Sequence, residues 1–357
     1  ILERKFKMEL KDSRLWIEIH EQSHCIDECL KYNVPIIKEI AEEVKKRNIK
    51  NVIFAARGSS DHAAQVAKYL FEIYTDLHTT IYVPSVVTCY SPKSSFKDSM
   101  VIGISQSGGA RDVYEVMKKC VDDGGLCVSI TNEEGSLMST IGDYRMNNHC
   151  GIETSITAAK SYITQLTILY AMVAYISKDS ELLTTLDELS EIVEYSYSLE
   201  DQVKKIVPYL RNSEHLMIFG RGLLYGLVQE TELKIQETSY LDARCYAASD
   251  YQHGPIATAQ RFVPCIFMIA DQNTNTSIID LHDRLKDERD IFSVIVTNNQ
   301  EYANKADLSI VFDAKYDGIK AVYVCAVISQ MLACLLSISR GYNPDNPDGV
   351  SKHTVTI

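Results

Sequence analysis

The chain has 357 residues, of which 46% are hydrophobic and 24% are charged. This composition is typical of a globular protein, and the length predicts two domains of ordinary size. No stretch approaches the roughly 18 to 20 uninterrupted apolar residues of a membrane helix. The charged N-terminal segment ILERKFKMELKDSRLW lacks the apolar core of a signal peptide. These features predict a cytoplasmic protein that does not enter a membrane.

The net charge of −12 bears on the class of partner. Nucleic-acid-binding proteins carry basic patches, and no basic run occurs in this sequence, so we expect no nucleic acid partner. The ten cysteines include no Cys-x-x-Cys pair, and most are expected to act as small apolar residues in a reducing compartment. His20, His24 and Cys25 have helical spacing, but no second cluster of ligands follows, so we predict no metal and no cofactor.

The predicted elements begin with a helical segment over residues 13–50, after which the chain repeats itself. Three apolar runs recur later in the chain at a near-constant offset, which indicates a duplicated domain. The pairs are VIFAARGSS (52–60) with LMIFGRGLL (216–224), VIGISQSG (101–108) with CIFMIADQ (265–272), and CVSITNEEG (127–135) with FSVIVTNNQ (292–300).

Each apolar run is short, rich in β-branched residues and not alternating, which is typical of a parallel strand buried on both faces. Helical patterns separate the runs, at residues 61–74, 110–124, 153–179 and 181–211. Alternating strands and helices predict an α/β fold with a doubly wound parallel sheet in each half. We place the domains at 1–34 (helical segment), 35–195 (first domain), 196–342 (second domain) and 343–357 (C-terminal tail).

Two loops of the first half have the composition of a phosphate site. ISQSGGARD (104–112) follows a strand and opens a helix, so Ser105, Gln106 and Ser107 join free backbone N–H groups there. RGSSDH (57–62) repeats the arrangement. Serine and glycine also serve as ordinary turn and cap residues. Ligands of open α/β sheets bind beyond the carboxyl ends of the strands, and two such loops there favour a phosphate ligand.

The sequences of these two loops argue against ATP and NAD as ligands. Neither ends in Gly-Lys-Ser/Thr, as an ATP-binding phosphate loop does, and neither contains Gly-x-Gly-x-x-Gly. In the second half, the counterpart IADQNT has lost the Ser/Gly pattern. We therefore expect one half to bind the ligand and the other half to support it.

The segment QETSYLDARCYAASDYQHGP (236–255) concentrates acids and a histidine before Gly254-Pro255. One interpretation is an exposed helix followed by a turn. The other is acid–base chemistry, since a carboxylate can move a proton between neighbouring sugar carbons and a histidine exchanges protons near neutral pH. A lysine beside a carbonyl can stabilise an enolate or form an imine.

These residues match those of a known family. The chain resembles proteins with paired SIS (sugar isomerase) domains, particularly the isomerase half of glucosamine-6-phosphate synthase and free-standing amino-sugar deaminases and fructosamine deglycases. The likeness covers nearly the whole chain. The matching pieces are EIHEQ (18–22), GSSDHAAQVAKY (58–69), SQSG (105–108), ETSITAAKSYITQLTIL (153–169), LKIQETSYLDARCYAASDYQHGP (233–255) and NPDNPDGVSKHTVTI (343–357).

The resemblance implies a role for each matched residue. Glu237 matches the general base, Lys234 a nearby cation, and His253 the histidine that opens the sugar ring. Lys352 matches a tail lysine near the sugar carbonyl carbon, and Ser351 is its neighbour. The residues expected to bind sugar or phosphate are Gly58, Ser59, Ser60, Ser105, Gln106, Ser107 and Ile156. Glu153 and Lys160, at i and i+7 of a predicted helix, are expected to be structural, with Lys160 a possible supporting residue.

Two departures from the family pattern point to the reaction. Gly109-Ala110 replaces the usual Glu-Thr after Ser-Gly, so one phosphate-binding hydroxyl is missing. About a dozen residues precede RLWIEIHEQ, so the glutaminase domain of the synthase is expected to be absent, and with it glutaminase activity. Both departures favour a deaminase or deglycase over the synthase.

The function expected from the resemblance is an isomerising deaminase that converts glucosamine 6-phosphate into fructose 6-phosphate and ammonia. A fructosamine-6-phosphate deglycase and a simple phosphosugar isomerase are enzymatic alternatives that use the same residues. A non-catalytic sugar-phosphate sensor is the alternative from another class, but a sensor needs no base, histidine and lysine together. The family delivers His253 across a subunit interface, so a homodimer with shared active sites is expected.

Overall fold

The strands of this protein form two parallel sheets of five strands each, in a computed structural model that describes residues 8–352. The first sheet has the order β2-β1-β3-β4-β5 and the second the order β10-β9-β8-β6-β7. The strands are β1 (Asn51–Ala55), β2 (His78–Ile81), β3 (Ser99–Ile104), β4 (Leu126–Thr131), β5 (Tyr144–Asn147), β6 (His215–Gly220), β7 (Asp242–Ala247), β8 (Pro264–Ile269), β9 (Phe292–Thr297) and β10 (Leu308–Val311).

The two sheets have the same strand order when each strand is paired with the strand five later in the chain. The three repeated apolar runs are the central strands of these sheets, β1, β3 and β4 in the first and β6, β8 and β9 in the second. Every strand pair is parallel. The predicted duplication and the predicted α/β fold with parallel sheets are confirmed.

Helices alternate with these strands, as a doubly wound fold requires. They are α1 (Arg14–His20), α2 (Gln22–Lys46), α3 (Gly58–Tyr74), α4 (Ser85–Cys89), α5 (Arg111–Asp123), α6 (Lys160–Ser177), α7 (Ser180–Tyr197), α8 (Glu200–Leu210), α9 (Tyr225–Ser239), α10 (Ala248–Tyr251), α11 (Asn275–Arg289), α12 (Gln300–Ala303) and α13 (Ile319–Arg340).

The described chain divides into two compact units. The first unit comprises residues 22–153, 160–190 and 351–352, and the second comprises residues 8–21, 154–159 and 191–350. The division differs from the predicted boundaries, because the boundary at 34/35 falls inside the continuous helix α2. The predicted tail also divides, with residues 343–350 in the second unit and 351–352 in the first. Residues 353–357 of that tail lie outside the described residues.

The sheet of the first unit is covered on both faces. Successive side chains of a strand point to opposite faces. On β1, Phe54 contacts Phe71 of α3 edge-on, with ring centroids 5.8 Å apart. The next residue, Ala55, packs with Val113 and Met117 of α5. Helices α3 and α5 therefore cover opposite faces, which explains why the central strands are apolar without alternation.

The sheet of the second unit is built in the same way. Phe219 of β6 stacks on Phe267 of β8 at 4.9 Å and belongs to a cluster that includes Leu285 of α11. The next residue of β6, Gly220, faces Val228 of α9, where an added Cβ would come within 2.8 Å of the valine side chain. Helix α9 needs glycine at this position to lie close to the strand.

Helix α13 is long and apolar enough to cross a membrane by length and composition alone. Ser329 and Gln330 interrupt its apolar residues, so it does not contain an uninterrupted apolar run of roughly 18 to 20 residues. In the structure 89% of its most apolar 18-residue window is buried. Helix α13 packs against α8 and α9 within the second unit and serves as a core helix.

One predicted helix begins later in the chain than expected. The segment predicted as helix over 153–179 is irregular up to residue 159, and α6 begins at Lys160. Glu18 binds the irregular stretch, because its carboxylate accepts the N–H groups of Thr154 and Ser155. These bonds satisfy backbone groups outside a helix. The prediction that Glu153 and Lys160 share a helix face was therefore wrong, because Glu153 lies outside α6.

The ten cysteines are all free thiols. Eight are buried, Cys245 is half-buried and Cys89 is exposed. Burial raises the pKa of Cys265 and of Cys334 to about 12, so these thiols stay protonated. The prediction that most cysteines act as small apolar residues is confirmed.

A buried histidine in the second unit predicts a loss of stability in acid. His282 of α11 is 1% exposed, and its ring nitrogens lie 2.9 Å from Asp283 Oδ1 and 3.2 Å from Ser293 Oγ. Burial lowers the pKa of His282 below its ordinary value of 6.5, although Asp283 opposes that shift. The unfolded chain then binds a proton that the folded chain does not. The contribution of neutral, buried His282 to the free energy of unfolding is therefore full above pH 6.5. It is lost as the pH falls below that value.

We therefore expect His282→Gln to be less sensitive to acid than the unchanged protein. Between pH 7.5 and 5.5, the free energy of unfolding should fall by a smaller amount in the variant, with a difference of up to about 1.4 kcal/mol per pH unit. Urea unfolding at the two pH values measures this. His78→Gln is the control, because the His78 side chain is 84% exposed. Equal acid sensitivity of His282→Gln and the unchanged protein would show that the prediction is wrong.

Candidate active site

The loop between β3 and α5 is a tight turn built on Gly108. The Gly108 N–H donates to the Ser105 carbonyl oxygen at 3.2 Å, and φ at Gly108 is +62°. The hydroxyl oxygens of Ser105 and Ser107 accept the N–H groups of Gly108 and Gly109, at 3.2 and 3.3 Å. Each hydroxyl keeps its own O–H for another acceptor. The three predicted phosphate-binding residues, which include Gln106, are half-buried at this strand end.

Gly108→Ala is expected to distort this loop. A Cβ at Gly108 would lie 2.1 Å from Ser136 Oγ, and a left-handed backbone costs alanine about 1 to 2 kcal/mol. Gly109→Ala is a matched control, because its nearest contact would be an ordinary 3.5 Å from Ser107 Oγ. Calorimetry should show affinity for a sugar 6-phosphate falling at least about tenfold in Gly108→Ala and changing little in Gly109→Ala. Equal affinities would contradict a binding role for the loop.

The second hydroxyl-rich loop opens helix α3. Gly58 has φ +53°, Ser59 is half-buried and Ser60 is buried. The preceding Arg57 donates from Nε and Nη2 to Asp112 Oδ2, at 2.9 and 2.7 Å. Because β1 and β3 are neighbours in the sheet, this ion pair joins the loops that follow them. The structure thus brings the two predicted loops together.

A cavity of about 800 Å³ in the first unit opens beside the loop between β3 and α5, which contains Gln106 and is called the Gln106 loop. Helix α2 and the chain that follows β3, β4 and β5 form its wall, so it lies at the carboxyl ends of these strands, where α/β sheets bind ligands. Two of the predicted site residues, Gln106 and Lys352, line it. The other lining residues are Glu28, Tyr32, Asn132, Glu133, Asn147, His149, Gly151, Ile152 and Glu153.

Glu153 holds Lys352 in this cavity. The Lys352 ammonium donates to the Glu153 carbonyl oxygen and lies 3.6 Å from Glu153 Oε2. The carboxylate of Glu153 is 1% exposed and accepts the backbone N–H of Ser161 at 3.0 Å and its hydroxyl at 2.8 Å. Glu153 therefore anchors both the tail lysine and the first turn of α6. Ser351, which precedes the lysine, is exposed.

The predicted base lies in the second unit, on helix α9. Lys234 Nζ is 2.8 Å from Glu237 Oε2 and 3.5 Å from Glu230 Oε1. The three residues share one helix face because they are three and four positions apart. The side chains of Lys234 and Glu230 are 2% and 1% exposed, whereas that of Glu237 is 20% exposed. Lys234 thus orients a carboxylate that can still be reached.

His253 lies beyond the next strand of the same unit. The segment 236–255 is not an exposed helix followed by a turn, because the end of α9, strand β7 and α10 follow one another in it. The His253 N–H donates to the Asp250 carbonyl oxygen at 3.0 Å, and the side chain is exposed. Its imidazole makes no hydrogen bond within residues 8–352.

Ile156 belongs to the irregular stretch 154–159 of the second unit. Its N–H donates to the Asp345 carbonyl oxygen at 3.1 Å, so this backbone donor already has a partner. The carboxylate of Asp345 accepts the hydroxyl of Ser13 and the N–H groups of Arg14 and Leu15, at 2.7 to 2.9 Å. These bonds fix the start of the C-terminal tail at the first turn of α1.

Several residues that shape these features were missed from the sequence. Asp112, Glu230 and the anchoring role of Glu153 depend on partners that only the fold identifies. The spacing of Glu230 and Lys234, four positions apart on a predicted helix, was a usable signal. No signal connected Tyr32 and His149, which meet through tertiary structure.

The fold and these features define a duplicated α/β protein with Ser/Gly loops at the strand ends of one repeat. The chain belongs to the SIS domain family, which matches residues 46–175 and 209–340. The two matches correspond to the two five-stranded sheets.

Curated relatives carry the name glutamine–fructose-6-phosphate aminotransferase (isomerizing). The protein from Thermococcus kodakarensis is 28% identical over 354 residues, and that from Aquifex aeolicus is 28% identical over 342 residues. Each alignment covers 95% of this chain and 57% of the relative. This chain therefore spans little more than half the length of these relatives.

Solved structures share the fold. The C-terminal domain of glucosamine-fructose-6-phosphate aminotransferase from Francisella tularensis has a TM-score of 0.83 at 22% identity, covering 94% of this chain and 98% of that chain. Glucosamine-6-phosphate deaminase from Thermotoga maritima has a TM-score of 0.76 at 21% identity, covering 96% of this chain and 100% of that chain.

Proposed function

We propose that this chain is a phosphosugar aldose–ketose isomerase that acts on an amino-sugar 6-phosphate and releases its nitrogen as ammonia. The observation that carries the proposal is the carboxylate of Glu237, which the buried ammonium of Lys234 orients at 2.8 Å while leaving it partly exposed. An oriented, accessible carboxylate is the group that proton transfer between adjacent carbons requires. The names of the relatives, which refer to fructose 6-phosphate and to isomerisation, support the same substrate class.

The two Ser/Gly loops take the phosphate in this proposal. Backbone N–H groups at a helix start, with the hydroxyls of Ser59, Ser105 and Ser107, suit a dianion in a protein of net charge −12. In the loop between β3 and α5, Gly109-Ala110 supplies no side-chain donor. Arg57 and Arg111 bring positive charge to these two loops, and Arg57 is paired with Asp112.

The proposed reaction consumes water and releases ammonia. His253 assists opening of the sugar ring, and Glu237 removes the proton from C2 of the open-chain amino sugar and returns a proton to C1. The C2 amine thereby becomes a ketimine, because the nitrogen also loses a proton and the C1 carbonyl oxygen gains one to become a hydroxyl. Water adds at C2, the carbon–nitrogen bond breaks, and the products are fructose 6-phosphate and ammonia. Lys352 stabilises negative charge that develops on the sugar oxygen at C1.

We also propose that the active protein is a cytoplasmic homodimer with shared active sites and no nucleic acid partner. The exposed His253, whose imidazole makes no hydrogen bond within residues 8–352, is available to a second copy of the chain. Sedimentation should give a dimer at micromolar concentration, and a fully active monomer would contradict this part of the proposal.

Product analysis tests the proposed reaction. Purified protein with glucosamine 6-phosphate should release ammonia and fructose 6-phosphate in equal amounts. Galactosamine 6-phosphate and 6-phosphofructosyl amino acids, tested in parallel, identify the other sugar epimer and the deglycase reaction. Binding of these compounds without turnover of any of them would overturn the enzymatic proposal and favour a sensor.

A further inference from the structure

His149 holds an unusual backbone conformation at the wall of the cavity. It follows β5, and its φ of +50° lies in the left-handed region, which non-glycine residues adopt at a cost of about 1 to 2 kcal/mol. Histidine is among the side chains found there more often than most, so the conformation alone could be that of a turn residue. Strain of this kind also concentrates at ligand-binding sites, which makes its surroundings informative.

A hydrogen-bonded frame fixes this conformation. Asn147 Oδ1 accepts the His149 N–H at 2.7 Å. From the end of the neighbouring strand, Asn132 Nδ2 donates to the Gly151 carbonyl oxygen at 2.8 Å, and Asn132 Oδ1 accepts the Cys150 thiol at 3.0 Å. Two side chains of the cavity wall thus hold the backbone on both sides of His149. The loop is determined by specific bonds and has little freedom to relax.

The imidazole of His149 is oriented yet keeps its polar atoms available. It packs on the ring of Tyr32 from α2, with centroids 4.5 Å apart and planes 30° apart. Neither ring nitrogen makes a hydrogen bond within residues 8–352. Partial burial lowers the pKa of His149 below 6.5, against the influence of Glu134 and Glu28. At neutral pH the ring therefore has one nitrogen that accepts a hydrogen bond.

The charges around the ring favour one kind of ligand. Glu28, Glu133 and Glu153 line the same cavity, whereas Lys352 is the one cation in its described lining and is paired with Glu153. Glu28 is paired with Lys31 at 3.0 Å, so the carboxylate of Glu133 leaves the cavity beyond Gln106 with a negative balance. A second anionic group would be repelled there, and a cationic group would be attracted.

We propose that His149 is a specificity-determining residue that accepts a hydrogen bond from a cationic nitrogen substituent on the sugar phosphate. Tyr32, Asn132 and Asn147 are the residues that position it. The ammonium group of an amino sugar and that of an amino-acid adduct share this chemistry. The inference rests on the proposed function, because it takes the phosphosugar to bind at the adjacent Gln106 loop.

The test compares two sugar phosphates, one with an amino group at C2 and one with a hydroxyl group there. Calorimetry measures Kd for glucosamine 6-phosphate and glucose 6-phosphate in the full chain carrying Glu237→Gln, which prevents turnover, with and without His149→Gly. Glycine accepts the left-handed backbone, so the substitution removes the imidazole without adding strain. Asn48→Gly is the matched control, because Asn48 is exposed, has φ +53° and does not line this cavity.

His149→Gly should weaken binding of glucosamine 6-phosphate by at least about tenfold, as expected for a lost hydrogen bond to a charged group. Affinity for glucose 6-phosphate should stay within about twofold, and Asn48→Gly should affect neither ligand. The same measurement is made with a 6-phosphofructosyl amino acid in place of the amino sugar. The ligand whose affinity falls in His149→Gly identifies the source of the ammonium group that His149 binds.

An unchanged preference between the two sugars, or an equal loss for both, would overturn the inference and leave the proposed function standing. A protein that binds no sugar phosphate even with His149 in place would overturn the proposed function, and the inference with it.

Discussion

Glu237→Gln should lower turnover by about 10²- to 10⁴-fold and leave the affinity for the sugar phosphate within about threefold. Glutamine keeps the size of the side chain and an oxygen that can accept a hydrogen bond from Lys234, but it cannot take up the C2 proton. General-base catalysis contributes about 10² to 10⁴ to the rate, which sets the expected loss. Steady-state kinetics gives kcat, and calorimetry gives Kd for the same preparation.

Glu232→Gln is the matched control for this experiment, because Glu232 lies on the same helix and accepts the thiol of Cys245 at 2.8 Å. We expect the control to keep its kcat within about twofold of the unchanged protein. Full activity of Glu237→Gln would remove the base from the mechanism. Loss of both turnover and binding would mean that Glu237 holds the ligand or the fold, rather than acting as the base.

Lys234→Met should destabilise the protein by about 3 to 5 kcal/mol. Lys234 lies between Glu230 and Glu237, and both it and Glu230 are almost fully buried. Removing one partner of a buried ion pair leaves the other charge uncompensated, which costs about this much. Chemical denaturation measures the free energy of unfolding of the variant and of the unchanged protein.

Two further variants separate the effect of burial from that of charge. Lys234→Met combined with Glu230→Gln should recover part of the lost stability, because the carboxylate left without its cation becomes neutral. Arg284→Met removes an exposed ion pair with Glu288 in the same unit and should cost less than about 1 kcal/mol. A loss of less than about 1 kcal/mol in Lys234→Met would contradict the role of Lys234 as a buried counter-ion.

The sequence was most informative about the centre of each sheet. The strands β1, β3 and β4 and their repeats are buried on both faces, so their apolar runs are continuous and recognisable. None of the four edge strands was predicted, because they are partly exposed and have mixed composition; they are β2, β5, β7 and β10. The stretch 153–159 was predicted as helix because its composition suits one. Tertiary bonds from Glu18 hold it in another form.

The site was predictable to the extent that short motifs define it. The two Ser/Gly loops follow neighbouring parallel strands, so their proximity could be expected from the strand order. The Arg57–Asp112 ion pair and the anchoring of Lys352 by Glu153 could not be, because each joins residues far apart in the chain. The contact of the His149 ring with the Tyr32 ring depends on how α2 packs beside β5. No local pattern indicates such a contact.

Loss of deuterium from C2 of labelled glucosamine 6-phosphate tests the central claim, proton abstraction by Glu237, most directly. The unchanged protein should convert the labelled sugar to fructose 6-phosphate with the deuterium at C1 or in the solvent, and NMR spectroscopy follows both. Glu237→Gln should bind the sugar and leave the label at C2. An unchanged protein that binds the labelled sugar for hours and leaves every deuterium at C2 would contradict the account.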